Sequence, residues 1–387
     1  MKFIKSSILL SLLISLSAIT LAQEQPIPSS PTVATTTTAP RNNIEFTPQI
    51  SVALFTAQQK VSGTAWGGEL IYHHNTENNQ MPWIRMLHIK SVDLIFNYKN
   101  MSRIKLMDVP DPYKFGDSYA VLAGINIALL KGKTTELDLS PAFGMGYLGE
   151  TYFTNENPLI GSHLNFASRA GLKVYQNISE GTRLSAGIDI LHFSNAGFRV
   201  PNNGMNSSNI SLGISKSLNT SSKEISDTSR NTWVSRHQYK THSFDLGIGI
   251  GRRGYYRSKE GFFYKTSLYG GYNYRLNPVL GLSAGVDAIY YHSLFDPNNF
   301  EATYQSNASS FDRWRVGAAL GPDVWMNRLA LTVKYGYYLK YNSYRNINTY
   351  WTAGLKYNLL DWLALQARIH VHKTEADFTA FGLMFTL

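Results

Sequence analysis

Beyond residue 22 the chain has no apolar run long enough to cross a bilayer as a helix, yet stretch after stretch alternates greasy and polar residues with a period of two. In Glu136 to Leu148, the residues Leu137, Leu139, Pro141, Phe143, Met145 and Tyr147 alternate with Glu136, Asp138, Ser140, Ala142, Gly144 and Gly146. Successive side chains of an extended chain point to opposite faces, so this is a strand with one apolar face. Gly161 to Gln176 repeats the pattern, with Leu164, Phe166, Ala170, Leu172 and Val174 set against His163, Asn165, Arg169 and Lys173. Further strands are predicted near 47–57, 63–73, 88–98, 118–131, 182–194, 208–218, 242–254, 262–275, 280–293, 312–322, 328–339, 350–358, 361–372 and 378–387. The total is about 16, with lengths that suit tilted membrane-spanning strands. The expectation is an all-β protein, a transmembrane antiparallel β barrel, with one large closure favoured over two eight-stranded halves.

The connections have their own pattern. Lys131-Gly132-Lys133, Asn177 to Gly181, Asn277-Pro278, Met326 to Arg328 and Leu359 to Asp361 are short turns, whereas 99–117, 148–161, 195–207 and 294–311 are longer. Outer-membrane barrels have short periplasmic turns and long outer loops, which assigns 195–207 to the outer rim. Asn219 to Lys240 is the exception, a long polar connection on the periplasmic side that divides the strands eight and eight. Leu184-Ser185-Ala186-Gly187-Ile188-Asp189 and Leu282-Ser283-Ala284-Gly285-Val286-Asp287 suggest a weak internal repeat, in which Tyr290 matches His192 and His292 matches Ser194. The apolar end, Phe381, Leu383, Phe385 and Leu387, resembles the C-terminal assembly strand of outer-membrane barrels.

Residues 1–22, with Lys2, Lys5 and an apolar core ending in Thr20-Leu21-Ala22, have the form of a signal peptide, implying export. A Pro/Thr-rich tether follows at 23–44, then a barrel half at 45–220, a polar linker at 221–241 and a second half at 242–387. The 24 Tyr, 19 Phe and 7 Trp against 16% charged residues are too aromatic and too weakly charged for a typical cytosolic enzyme. The net charge of +10 comes without a basic helix or dense basic cluster, so anionic lipid headgroups account for it and a nucleic-acid partner is not expected. The absence of Cys rules out disulfides, thiolate zinc sites and a cysteine nucleophile. His370 and His372 share an interior face with no third ligand, so neither a metal site nor a cofactor is predicted.

One polar interruption of a greasy face carries the candidate chemistry. Leu184, Ala186, Ile188 and Ile190 look at lipid by parity, and His192 and Ser194 continue that row. Residues two apart on a strand have Cα atoms about 6.5–7 Å apart, within reach of an imidazole–hydroxyl contact. That pairing is the base and nucleophile of acyl transfer. On the next strand Asn206 shares the parity of Ile210, Leu212 and Ile214, so it could orient the imidazole. Asn195, or the backbone N–H groups of Ala196 and Gly197, could receive a developing oxyanion.

His192-Phe193-Ser194-Asn195-Ala196-Gly197, with Pro201-Asn202-x-Gly204, resembles the signature of the PagL-type outer-membrane lipid A 3-O-deacylases, the acyloxyacyl hydrolase family. Ile160-Gly161-Ser162-His163-Leu164-Asn165 looks like a second string of its longer members, whose C-terminal extension the second half resembles. The resemblance implies a serine esterase that removes the ester-linked acyl chain at position 3 of lipid A, with Ser194 as nucleophile, His192 as base and Asn195 beside the oxyanion. It implies no cofactor, and a partner that is lipid A or lipopolysaccharide in the outer leaflet of the bacterial outer membrane. The family's acidic triad member, a Glu, falls on Asn206 here. The competing expectations are a weak or inactive structural or pore-forming barrel, and transfer of the acyl group to another lipid. Association as a homodimer is left open.

Overall fold

A computed structural model describes residues 42–387 apart from 56–60, 107–114, 219–238, 295–309, 344–345 and 374. The expected signal peptide, nearly all of the expected tether and most of the expected polar linker lie outside the described residues. The first half holds β1 (Asn43–Phe55), β2 (Val61–Ser62), β3 (Trp66–Asn75), β4 (Ile89–Asn100), β5 (Lys105–Leu106), β6 (Asp117–Lys131), β7 (Thr135–Leu148), β8 (Leu164–Ser179), β9 (Thr182–Ser194) and β10 (Met205–Ser217). The second half holds β11 (His242–Gly254), β12 (Phe262–Arg275), β13 (Leu280–Tyr291), β14 (Trp314–Met326), β15 (Leu329–Lys340), β16 (Thr349–Asn358), β17 (Leu363–His372) and β18 (Glu375–Thr386). β2 and β5 form a small ribbon of their own, outside the barrel walls.

The walls close twice. β1 pairs with both β3 and β10, and β11 with both β12 and β18, so the favoured single large closure gives way to two antiparallel eight-stranded barrels. The physical reason lies in the lumens. Arg169 of β8 meets Glu69 of β3, on the opposite wall, at 3.1 Å. Arg315 of β14 meets Asp377 of β18 at 2.9 Å, and Arg368 of β17 meets Asp287 of β13 at 2.8 Å; both pairs also join opposite walls. Inward charged side chains therefore reach across the full width of each barrel, which only a closure of about eight strands permits. Around the first of these bridges, Lys173 meets Glu45 at 3.0 Å, and His73 bridges Glu45 at 3.0 Å and Asp93 at 2.9 Å. Burying such charges is tolerable only when each finds partners.

Outward faces are the reverse. Leu184, Ile188 and Ile190 on β9 and Leu246, Ile248 and Ile250 on β11 are exposed, as lipid-facing positions must be. Aromatic girdles cap this band. Trp66, Tyr98 and Tyr119 form a continuous row at one rim of the first barrel, with ring centroids 6.2 and 5.3 Å apart. Phe244 and Tyr272 sit near the opposite end of the second, 5.3 Å apart. Among the described residues no helix is long and apolar enough to cross a membrane, and the crossing elements are the strands.

The suggested internal repeat does not correspond to equivalent positions. β9 is the seventh strand of its barrel and β13 the third of its own. Both strings meet the same demand: Leu184, Ile188, Leu282 and Val286 face outward, while Asp189 and Asp287 are buried, each beside an inward Arg.

Candidate active site

The end of β9 and the start of β10 are neighbours, with His192 directly opposite Asn206 and Phe193 opposite Met205. Their outward rows, greasy along the membrane band, become polar at the rim: His192 and Ser194 continue Ile188 and Ile190, and Asn206 and Ser208 precede Ile210. All three candidate residues are half-buried, and the expected shared face is realised. This rim is opposite the one where Asn43 pairs with Ser217 and Asp245 with Thr386.

His192 Nδ1 lies 2.7 Å from Asn206 Oδ1. An amide oxygen only accepts, so Nδ1 carries the proton and Nε2 is left with its lone pair, as a general base requires. Gly204, at φ +70°, presses on the other side of the imidazole. A Cβ at that position would stand 2.9 Å from His192 Cε1, so the glycine leaves the space the ring occupies.

Ser194 is held differently from expectation. Its Oγ receives a hydrogen bond from Asn202 Nδ2 at 3.0 Å and from the Ala196 N–H at 3.1 Å, and it makes no bond to His192. Asn202 reaches it because the loop folds back: Asn202 bridges to Ile160, and the Asn203 N–H donates to the Leu159 carbonyl at 2.8 Å. Asn202 is thus a site residue to which sequence reasoning assigned no role, although it stands in the quoted Pro-Asn-x-Gly string.

Asn195 is turned away from the outer face. Its Nδ2 donates to Ser162 Oγ and to the Arg199 carbonyl, both at 2.9 Å, while its Oδ1 accepts from the N–H groups of Gly197 and Arg199. With both amide hydrogens spent, the side chain staples the loop, and the expected meeting with an oxyanion is not available to it in this arrangement. The Gly197 N–H is likewise committed to Asn195. Ala196, at φ +54°, directs its N–H at Ser194 Oγ; this left-handed backbone costs a non-glycine residue about 1–3 kcal/mol and is held by its surroundings. Ser162 gives the second quoted string its structural sense, since it ties the approach to β8 to the turn after Ser194.

The second barrel completes the surroundings. Thr379 Oγ1 of β18 donates to the Ala196 carbonyl at 3.4 Å, the Gly254 N–H of β11 to the Gly197 carbonyl at 3.1 Å, and the Arg257 N–H to the Val200 carbonyl at 3.0 Å. Phe198 stacks on Phe381 of β18, ring centroids 6.0 Å apart. Three carbonyls of one short loop are therefore satisfied by the other barrel. Nothing local in the sequence could have signalled contacts across such separations. His370 and His372 face the second lumen, where His372 Nε2 meets Arg315 and the Tyr338 hydroxyl and His370 stacks on Phe378.

Two family models match the chain: lipid A 3-O-deacylase (PagL) over residues 44–215, and the acyloxyacyl hydrolase C-terminal domain over residues 242–387. Each match coincides with one barrel. No curated protein matches the chain. Among solved structures it is similar to the outer-membrane enzyme PagL, at 19% identity over 44% of this chain and 98% of that one, TM-score 0.30. It is also similar to Neisserial surface protein A, at 10% identity over 46% and 98%, TM-score 0.32, and to the FrpB iron transporter from Neisseria meningitidis, at 10% over 85% and 64%, TM-score 0.24. The protein resides in the bacterial outer membrane, and it belongs to the lipid A 3-O-deacylase (PagL) family as a long member whose acyloxyacyl hydrolase C-terminal domain forms a second barrel.

Proposed function

We propose that the protein hydrolyses the ester-linked acyl chain at position 3 of lipid A, with Ser194 as nucleophile and His192 as general base. The observation that carries this reading is the shared outward face of His192, Ser194 and Asn206 at the polar end of a lipid-facing row, where a membrane lipid can reach them. Ser194 Oγ turns about χ1 from Asn202 toward His192 and attacks the ester carbonyl as its proton passes to Nε2. The tetrahedral oxyanion forms beside Asn202 Nδ2 and the Ala196 N–H, the two donors already at the hydroxyl. The bond from carbonyl carbon to sugar oxygen breaks, and the Nε2–H proton passes to the departing sugar oxygen, releasing it as a hydroxyl. Water repeats the sequence on the acyl-enzyme and releases the fatty acid. Asn206 fixes the imidazole tautomer, but as a neutral amide it adds no charge to steady the imidazolium, so turnover is slower than a carboxylate there would give.

A structural barrel without turnover is the second reading, and the amide at position 206 is what favours it. A pore is disfavoured by lumens bridged from wall to wall by ion pairs. Mass spectrometry of lipid A from cells lacking the protein, expressing it, or expressing Ser194→Ala decides the matter. Loss of one 3-linked acyl chain only with the unaltered protein is expected; the same acylation in all three would refute hydrolysis at this site.

A further inference from the structure

Arg252 occupies an unusual place for a cation. It follows Leu246, Ile248 and Ile250 on the lipid-facing row of β11, at the rim that carries the candidate active site, and is itself exposed. A guanidinium on a lipid-facing row is costly unless it reaches the headgroup layer and finds an anion there. Its plane is fixed by two rings: it lies 5.8 Å from the centroid of Phe198, the residue after Gly197 in the site loop, and 4.2 Å from that of Phe262. The guanidinium of Arg199 lies over the same Phe262 ring at 4.8 Å and donates to the Lys259 carbonyl. Two guanidiniums thus share one aromatic ring, and among the described residues neither is paired with a carboxylate. Two cations gathered on one ring without a counter-ion make this part of the rim locally positive, and an anion bound there is favoured.

The cluster is tied to the site by packing. Phe166 stands opposite Ser194 in the β8–β9 register, its ring lies 6.4 Å from Phe198, and Phe198 lies under Arg252. A continuous aromatic path along the rim thus leads from the nucleophile to the two cations, one supplied by each barrel.

We propose that Arg199 and Arg252 form a phosphate subsite that grips the sugar-linked phosphate of the acylated glycolipid whose ester lies at Ser194. Guanidinium forks bind phosphate oxygens in pairs, and the stacked rings hold the forks in a set orientation. The second barrel then serves recognition, since Arg252 and Phe262 both belong to it. This rests on the proposed function for the identity of the lipid, but not on turnover.

The test uses the full-length Ser194→Ala protein in lipid nanodiscs, with lipid retention read by native mass spectrometry. Bisphosphorylated lipid A is expected to be retained in preference to chemically dephosphorylated lipid A and to phosphatidylglycerol. Arg252→Gln and Arg199→Gln are each expected to weaken that retention about tenfold, with Arg252→Lys intermediate because it keeps charge but loses the fork. Equal retention of the three lipids, or unchanged retention in both Gln variants, would overturn the proposal. Selective retention by a protein whose Ser194-containing form leaves lipid A intact would sink the deacylase reading and leave the subsite standing. Deacylation at equal rates with and without phosphate would do the reverse.

Discussion

His192 Nδ1 and Asn206 Oδ1 face each other at 2.7 Å across the β9–β10 pair, an amide where the resemblance sets a carboxylate. In the proposed mechanism the amide orients the ring but adds no charge. Asn206→Glu is therefore expected to raise kcat for lipid A deacylation at least tenfold, within the roughly 10⁴-fold span that separates amide from carboxylate at such positions. Asn206→Ala is expected to lower it. A Glu variant no faster than the unaltered protein would show that this position does not limit turnover.

Asn202 is the donor nearest the hydroxyl of Ser194. Removing one oxyanion donor costs about 10²–10³ in kcat, and Asn202→Ala and Asn202→Asp should both fall in that range with KM little changed. Rates within twofold of the unaltered protein in both variants would remove Asn202 from the chemistry.

The second barrel holds the loop at Gly254. A Cβ there would meet the Phe198 carbonyl oxygen at 2.9 Å and Arg199 Cα at 3.2 Å, so Gly254→Ala must displace the loop that carries the site. Misplacement by about 1 Å costs of order 10²-fold in rate. The expected result is a deep loss of deacylation in a protein whose electrophoretic heat-modifiability, the mark of closed barrels, is retained.

Arg169 sits at the centre of the first lumen, against Glu69 at 3.1 Å and Asp189 at 3.8 Å. Arg169→Met takes the guanidinium from two buried carboxylates, leaving Glu69 to Asn97 and Lys173 and Asp189 to the amides of Gln49 and Asn209, and should destabilise the first barrel by about 3 kcal/mol in urea unfolding from lipid vesicles. Arg169→Met combined with Glu69→Leu should recover part of that loss. A single variant as stable as the unaltered protein would mean that the lumen bridges do not support the closure.

The lipid made part of this architecture legible. A strand that meets hydrocarbon on one side must alternate, so the parity of His192, Ser194 and Asn206 could be read from Ile188, Ile190 and Ile210 alone. Closure number was not legible in that way. Outward rows look the same in an eight- or sixteen-stranded wall, and what distinguishes them, Arg169 reaching Glu69 across the lumen, is a contact between strands distant in the chain. The loop resisted for a similar reason. Asn195 reads as a residue beside a candidate oxyanion until Ser162 and Arg199 claim its amide, and Asn202 reads as a turn residue until Ile160 folds it back. Thr379 lies 183 positions from Ala196, and no periodicity connects them.

Reaction of Ser194 with a serine-directed lipid probe tests the central claim most directly. Purified protein in detergent micelles, treated with a long-chain alkyl fluorophosphonate and digested, should carry the label on the peptide containing Ser194. The label should be lost in Ser194→Ala and much reduced in His192→Ala. Labelling that survives Ser194→Ala, or an unlabelled protein that still removes the acyl chain from lipid A, would contradict a nucleophilic role for Ser194.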